Sequence, residues 1–215
     1  MLPVSLMFPM SLFIYGKGTK KYYDENSGYL MGASMILNNA VTLGIKYCVK
    51  RERPYLKYHG VYYDSSSLHD QYSFPSGHTG NSFTVATMTV LRYPNYPYVY
   101  IPIYLWGIII GYGRSYWGMH YPSDVLAGAV IGTLSSVAVY SLRSELIKAK
   151  NRAFGEKSNP DEGSIKGGTL TLFAGAFIIS TLFDNLIVNK PYHISVSFVP
   201  ENKFGMLRCN VRLNL

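Results

Sequence analysis

The chain has 215 residues, 48% of them hydrophobic and 15% charged, so it lacks the roughly 25% of charged residues that a soluble domain presents to water. Lys and Arg exceed Asp and Glu by 20 to 12. With twenty tyrosines, which suit the lipid–water boundary, that excess points to a membrane surface or an anionic substrate and away from nucleic acid. The two cysteines, Cys48 and Cys209, form no metal-binding spacing and read as unpaired thiols.

The length favours one main domain. Apolar segments at about 2–16, 28–49, 78–92, 97–113, 123–143 and 168–188 predict about six helices, punctuated by "YGKG", "RYPNYPY" and "KSNPDEGS". The first segment has no basic lead and no small-residue cleavage site, so it is a poor signal peptide. It is also short for a membrane span, and some upstream sequence is expected to be missing. Asn38 and Asn39 interrupt the second segment and need partners from neighbouring helices if lipid surrounds them. In 123–143, Ala127, Gly128, Ala129 and Gly132 allow close helix packing, as membrane bundles favour. An ordinary soluble bundle is the alternative.

Basic residues cluster in two connections. Lys17, Lys20 and Lys21 lie in 17–27, and Arg143, Lys148, Lys150, Arg152, Lys157 and Lys166 in 143–167. Alternating spans put both on one side of a membrane, the cytoplasmic one by the charge rule, with 50–77 and 114–122 opposite. Residues 150–167 read as a linker. The tail alternates in "HISVSF" and "LRCNVRLNL", separated by "VPENK", and predicts a β-hairpin over 191–215 beyond a helical domain at 1–190.

Three clusters carry chemistry. In "YSFPSGHTG", Pro75 suits a first helical position, Gly77 permits close approach to the backbone, and free amides at a helix start bind anions. Ser76 adds a hydroxyl and His78 a proton that moves near neutral pH. Upstream, "KYCVKRERPY" supplies Lys46, Lys50, Arg51 and Arg53, cations suited to phosphate oxygens. Downstream, "GYGRSYWGMHYPSD" supplies Arg114, His120 and Asp124, where the carboxylate can orient the imidazole. Each cluster alone fits a solvated helix end or a capped surface histidine. Together they offer cations, two helix starts, a proton donor and an Asp-backed histidine, which is what phosphoryl transfer requires.

These residues resemble the type 2 phosphatidic acid phosphatase (PAP2) superfamily. Its signature is Lys-x6-Arg-Pro, Pro-Ser-Gly-His and Ser-Arg-x5-His-x3-Asp, matched here by Lys46 to Arg53-Pro54, Pro75 to His78, and Arg114 through His120 to Asp124. The resemblance covers about residues 28–145. It implies an all-α, membrane-embedded PAP2/haloperoxidase-like bundle. Lys46, Arg53, Ser76, Gly77 and Arg114 would hold the phosphate. His120 would attack phosphorus, Asp124 would orient it, and His78 would protonate the leaving oxygen. No metal or cofactor is expected. The implied substrate is a lipid phosphate or diphosphate, with the membrane as partner and no nucleic acid. The implied place is a bacterial inner membrane with the site facing the periplasm, outer-membrane association being the alternative. Other readings are a soluble-type acid phosphatase of the same superfamily, a vanadate-dependent haloperoxidase and a non-enzymatic membrane scaffold. One position departs from the signature: Gly113 stands where it has serine. Residues 55–74 read as a gating loop or an ordinary surface loop, and His59 and His69 within it as non-catalytic.

Overall fold

A computed structural model describes residues 3–58, 71–155, 161, 168, 169 and 175, together with the backbone of 192–199 and 206–213. Seven helices are present among them: α1 (Pro3–Gly18), α2 (Tyr22–Val49), α3 (Pro54–Lys57), α4 (Gly77–Arg92), α5 (Pro97–Tyr116), α6 (Pro122–Ser141) and α7 (Arg143–Ala153). The protein is all-α over this region. Pro54, Pro97 and Pro122 stand in the first turns of α3, α5 and α6, where the missing N–H removes no helical bond.

Residues 1–176 form one compact unit. In it α4 is the central helix and packs against α2, α5 and α6, while α1 lies on α2. Successive long helices run in opposite directions, so the C-terminal ends of α2 and α5 gather with the N-terminal ends of α4 and α6. The signature residues lie at this end.

The interior is unusually polar. Thr79, Ser82, Thr84, Thr87 and Thr89 of α4 are buried. Thr84 Oγ1 donates to the carbonyls of Gly80 and Gly132, and Ser136 Oγ donates to the Thr84 carbonyl. Asn38 finds the partner that the sequence demands: its Nδ2 donates to Asn81 Oδ1 at 2.8 Å. The backbones of α4 and α6 almost touch. A β-carbon on Gly128 would lie 2.3 Å from the Ser76 carbonyl oxygen, and one on Gly132 would lie 2.1 Å from that of Gly80.

The opposite end is closed by charge. Lys150 Nζ meets Glu25 at 2.5 Å with both side chains buried. Arg92 grips Asp161 through two nitrogens, at 2.6 and 2.7 Å. Asp24 accepts from Tyr93 Oη and Thr169 Oγ1.

Two expectations are corrected here. The connection after residue 143 is not a loop, because Arg143–Ala153 is helical. Lys150 is not a solvated loop cation but half of a buried ion pair, with Ile147 buried on the same helix. Of the helix expected at 168–188, only 168, 169 and 175 lie among the described residues, and all three are helical.

Residues 177–215 form a second unit.

Candidate active site

The three signature segments meet at the end of the bundle where α2 and α5 finish and α4 and α6 begin. The backbone ties them. Glu52 and Tyr72 form a β-bridge. Ser73 N donates to the Arg51 carbonyl, and Ser73 Oγ lies within reach of the Arg51 and Glu52 carbonyls. Tyr55 N donates to the Gly118 carbonyl, and Ser76 N to the Asp124 carbonyl. The first and second segments are thus zipped together, and both are fastened to the third.

His120 sits on the link between α5 and α6 and is 3% exposed. Its Nδ1 lies 2.7 Å from the Ser73 carbonyl oxygen, which can only accept, so Nδ1 carries the proton and Nε2 the lone pair. Nε2 lies 3.4 Å from Arg53 Nη1. Arg53 is itself buried, and its Nη1 also donates to the Met119 carbonyl at 3.0 Å. The pKa of His120 is lowered from the ordinary imidazole value. Burial is the main cause, and the positive charges of Arg53 and Lys46 add to it against the opposing pull of Asp124 and the Ser73 carbonyl.

Asp124 is fully buried in the first turn of α6. Its Oδ2 accepts from Tyr121 N at 2.9 Å and lies 3.7 Å from His120 Nδ1. That separation is an ion-pair distance, not a hydrogen bond. The atom bonded directly to the imidazole is the Ser73 carbonyl, and Asp124 stands behind it as a charge. Its Oδ1 is held by Arg51 Nη1 at 2.7 Å, while Arg51 Nη1 also donates to Ser123 Oγ and the guanidinium lies over the Tyr121 ring.

Lys46, also buried, donates to the Tyr72 carbonyl at 2.6 Å. Arg114 approaches Met119 Sδ at 3.4 Å, and its carbonyl accepts from the amides of Met119 and His120. His78 lies in the first turn of α4, and Arg114, His120 and Arg53 are among the groups whose charge acts on its ring. Its Nε2 is buried with no hydrogen-bond partner among the described residues.

The second segment departs from its expected layout. Pro75 is not the first helical residue: Ser76 is the N-cap and α4 begins at Gly77. Ser76 is wholly buried, and its hydroxyl meets Thr79 Oγ1 at 2.9 Å and caps the Thr79 amide. The amides of Gly77 and His78 lie in the first turn, where no helical acceptor exists. A β-carbon on Gly77 would meet nothing closer than Thr42 Cγ2 at 3.6 Å. The start of α6, by contrast, is occupied by the carboxylate of Asp124, so of these two helix starts it is that of α4 which is open to an anion. At Gly113, a β-carbon would meet nothing within 4 Å, so the serine of the signature would fit without displacing a neighbour.

Sequence reasoning missed two participants. Ser73 acts through its backbone carbonyl, which every residue possesses. Arg51 reads in the sequence as one of four cations suited to phosphate, not as the partner of Asp124 that the structure makes it. Among the described residues no three His, Cys, Asp or Glu side chains gather as a metal site would require. The segment 59–70, with His59 and His69, lies outside the described residues.

Known proteins are similar to this chain in sequence. The chain is 36% identical over 75 residues to the lipid A 4'-phosphatase of Bacteroides thetaiotaomicron, which is 35% of this chain and 33% of that protein. It is 31% identical over 114 residues to the lipid A 1-phosphatase of Porphyromonas gingivalis, 52% of this chain and 25% of that one. It is 31% identical over 107 residues to the undecaprenyl-diphosphatase of Sulfolobus acidocaldarius, 49% of this chain and 50% of that one. The matched region thus spans half or less of each of these three relatives. Among solved structures, Aquifex aeolicus LpxE aligns with a TM-score of 0.47 and 25% identity, over 62% of this chain and 76% of that one. A sequence model of the PAP2 superfamily matches residues 28–148, more than half the chain and a span from within α2 into α7 that carries all the converging residues, and the protein belongs to that superfamily.

Proposed function

We propose that the protein is a metal-independent phosphatase acting on a lipid phosphate or diphosphate through a phosphohistidine intermediate. The observation that carries this reading is the orientation of His120. Its protonated Nδ1 is anchored on the Ser73 carbonyl, and its lone-pair nitrogen faces the buried guanidinium of Arg53. A nucleophile and a phosphate-binding cation then address one space.

In the proposed reaction Lys46, Arg53 and Arg114, with the first amides of α4 at Gly77 and His78, hold the phosphate oxygens. Ser76 supports them by capping α4. Nε2 of His120 attacks phosphorus and the bond to the leaving oxygen breaks. His78 supplies the proton that oxygen needs. Water then attacks the phosphohistidine, His78 takes a proton from it, and inorganic phosphate leaves. Asp124 steadies the positive charge that develops on His120.

The substrate reading draws on the outer surface of the bundle as well as on the relatives, whose names specify lipid A phosphates and undecaprenyl diphosphate. Ile101, Leu105, Ile108 and Tyr112 make an exposed apolar stripe along α5, and Leu126, Val130, Leu134 and Val137 make another along α6. Of the described helices, α6 is long and apolar enough to cross a membrane. These faces favour a lipid-embedded enzyme over a soluble acid phosphatase. The proposed arrangement has the bundle in an inner membrane with the catalytic end outward. The same proposal treats 1–190 as the catalytic domain and 191–215 as a separate β-hairpin, supported by the alternating sequence.

The test is phosphate release from a panel of lipid phosphates in excess EDTA. Wild type should release phosphate, and His120→Ala should lose activity by roughly a thousandfold or more, as removal of a nucleophile does. Activity that requires added magnesium, or that survives in His120→Ala, would defeat the proposal.

A further inference from the structure

Arg51 is a charged group at the site that the reaction above does not use. Its side chain is bound at three points to one short stretch, the entry into α6. Nη1 donates to Asp124 Oδ1 at 2.7 Å and to Ser123 Oγ at 2.8 Å, and the guanidinium lies 3.8 Å over the Tyr121 ring. Its backbone is bound as well. The Arg51 carbonyl accepts from Ser73 N and from Ser73 Oγ, and the Ser73 carbonyl in turn accepts from Nδ1 of His120.

The Asp124 carboxylate is therefore shared. Oδ1 faces Arg51, while Oδ2 accepts from Tyr121 N and stands 3.7 Å from His120 Nδ1. Exposed ion pairs are worth little, but this one is half inside: the Arg51 side chain is 36% exposed and that of Asp124 is 0% exposed. A buried carboxylate acts on nearby charge with little screening, so the cation beside it decides how strongly it acts. Arg53 and Lys46 from the first segment, His78 from α4 and Asp124 from α6 are the charged and titratable groups that act on the His120 ring. Asp124 supplies the negative charge among them, and Arg51 offsets part of it.

That offset works in opposite senses in the two halves of the proposed reaction. As Nε2 bonds to phosphorus and the bond to the leaving oxygen breaks, the ring keeps its Nδ1 proton and becomes positive. As the water oxygen bonds to phosphorus and the P–Nε2 bond breaks, the electron pair returns to Nε2 and the ring is neutral again. A stronger negative charge at Asp124 would favour the first step and hinder the second. We infer that Arg51 is a positioning residue that fixes the Asp124 carboxylate and tempers its charge, so that the phosphohistidine forms without becoming too stable to hydrolyse. The kinetic consequence rests on the phosphohistidine reading, but the electrostatic part is measurable without turnover.

The test compares wild type, Arg51→Gln, Arg51→Lys, Asp124→Asn and the double variant Arg51→Gln with Asp124→Asn, all in detergent. Arg51→Gln should raise the His120 titration, followed by imidazole NMR and assigned by its loss in His120→Ala. It should also raise the ratio of phosphoenzyme to unreacted enzyme during turnover about three- to fivefold, the worth of a partly exposed ion pair, measured with radiolabelled lipid phosphate and an alkaline quench. The value of kcat/KM, set by the first step, should hold or rise. Calorimetric affinity for inorganic phosphate should be nearly unchanged. Arg51→Lys keeps the charge and should restore wild-type behaviour in each measurement. Beside Asp124→Asn, Arg51→Gln should have little effect, because the carboxylate through which it acts is gone. Arg51→Met, which keeps a stem over the Tyr121 ring, repeats the comparison should the glutamine variant not fold. A joint fall in phosphate affinity and kcat/KM would make Arg51 a phosphate ligand and overturn the inference. An unmoved His120 titration, or an effect that persists in full beside Asp124→Asn, would overturn it too. If wild type forms no phosphoenzyme and releases no phosphate, the phosphatase reading fails instead, and the titrations still decide whether Arg51 acts on His120 through Asp124.

Discussion

At the scale of single residues the site depends on where one proton sits. In the proposed reaction His120 must be neutral to attack, and burial with the charges of Arg53 and Lys46 lowers its pKa, which favours the neutral form. The sign follows from the cause. Burial, Arg53 and Lys46 all disfavour the imidazolium, so the unfolded chain holds that proton more tightly than the folded one. The corresponding stability is present at neutral pH and is lost as pH falls from the unfolded value of 6.5 through the lower folded value. The acid limb of kcat/KM should accordingly lie below pH 6.5. Replacing Arg53 with Gln removes one of the charges that lower the pKa. It should move the His120 titration upward, as followed by imidazole NMR shifts, while reducing kcat/KM by about a hundredfold through loss of a phosphate donor. An unchanged titration would show that Arg53 does not act on this ring. The signature residues were legible because side chains of a given type must recur at fixed spacing to do this chemistry. The Ser73 carbonyl was not legible, since a backbone acceptor leaves no mark in sequence. The 3.7 Å gap between Asp124 and His120 likewise depends on how α6 begins, which spacing alone cannot specify.

At the scale of elements the decisive contact is between α4 and α6. Gly128 lets the Ser76 carbonyl approach the backbone of α6, and Ser76 N in turn donates to the Asp124 carbonyl. One methyl group at residue 128 must push apart two backbones, not a flexible side chain. Gly128→Ala should destabilise the protein by about 1–3 kcal/mol and lower kcat more than a surface substitution of similar size, because it separates the start of α4 from Asp124. Thermal unfolding and phosphate release on one preparation measure both effects, and a variant with wild-type Tm and kcat would refute the packing argument. Small residues at 127–132 had already marked this helix as one that packs closely. What hydrophobic patterning missed was α7. Arg143–Ala153 is short and mostly charged, and its place is set by the buried pair of Lys150 with Glu25, residues 125 positions apart. No local signal announces such a partner.

At the scale of the whole molecule, the four antiparallel helices place polar groups inside and apolar stripes outside on α5 and α6, the reverse of a soluble bundle. α6, with 20 residues, reaches about 30 Å, the thickness of a hydrocarbon core. If the bundle spans a bilayer with its catalytic end outward, α2 supplies a reporter. Cys48 lies one residue before the end of α2, at the end of the bundle where the signature residues gather, and is exposed. In a Cys209→Ser background Cys48 is the only thiol in the chain. A membrane-impermeant maleimide added to intact spheroplasts should label it. A cysteine introduced at Lys148, on α7 at the opposite end, in protein that also lacks Cys48, should react only after the membrane is opened. Lys148 is exposed and, among the described residues, pairs with Glu145 at the surface, so that substitution should leave the fold intact. The reverse labelling pattern would turn the site toward the cytoplasm. It would then require the substrate headgroup to be presented on the inner leaflet, because the proposed cradle gathers at the end of the bundle where α4 and α6 begin.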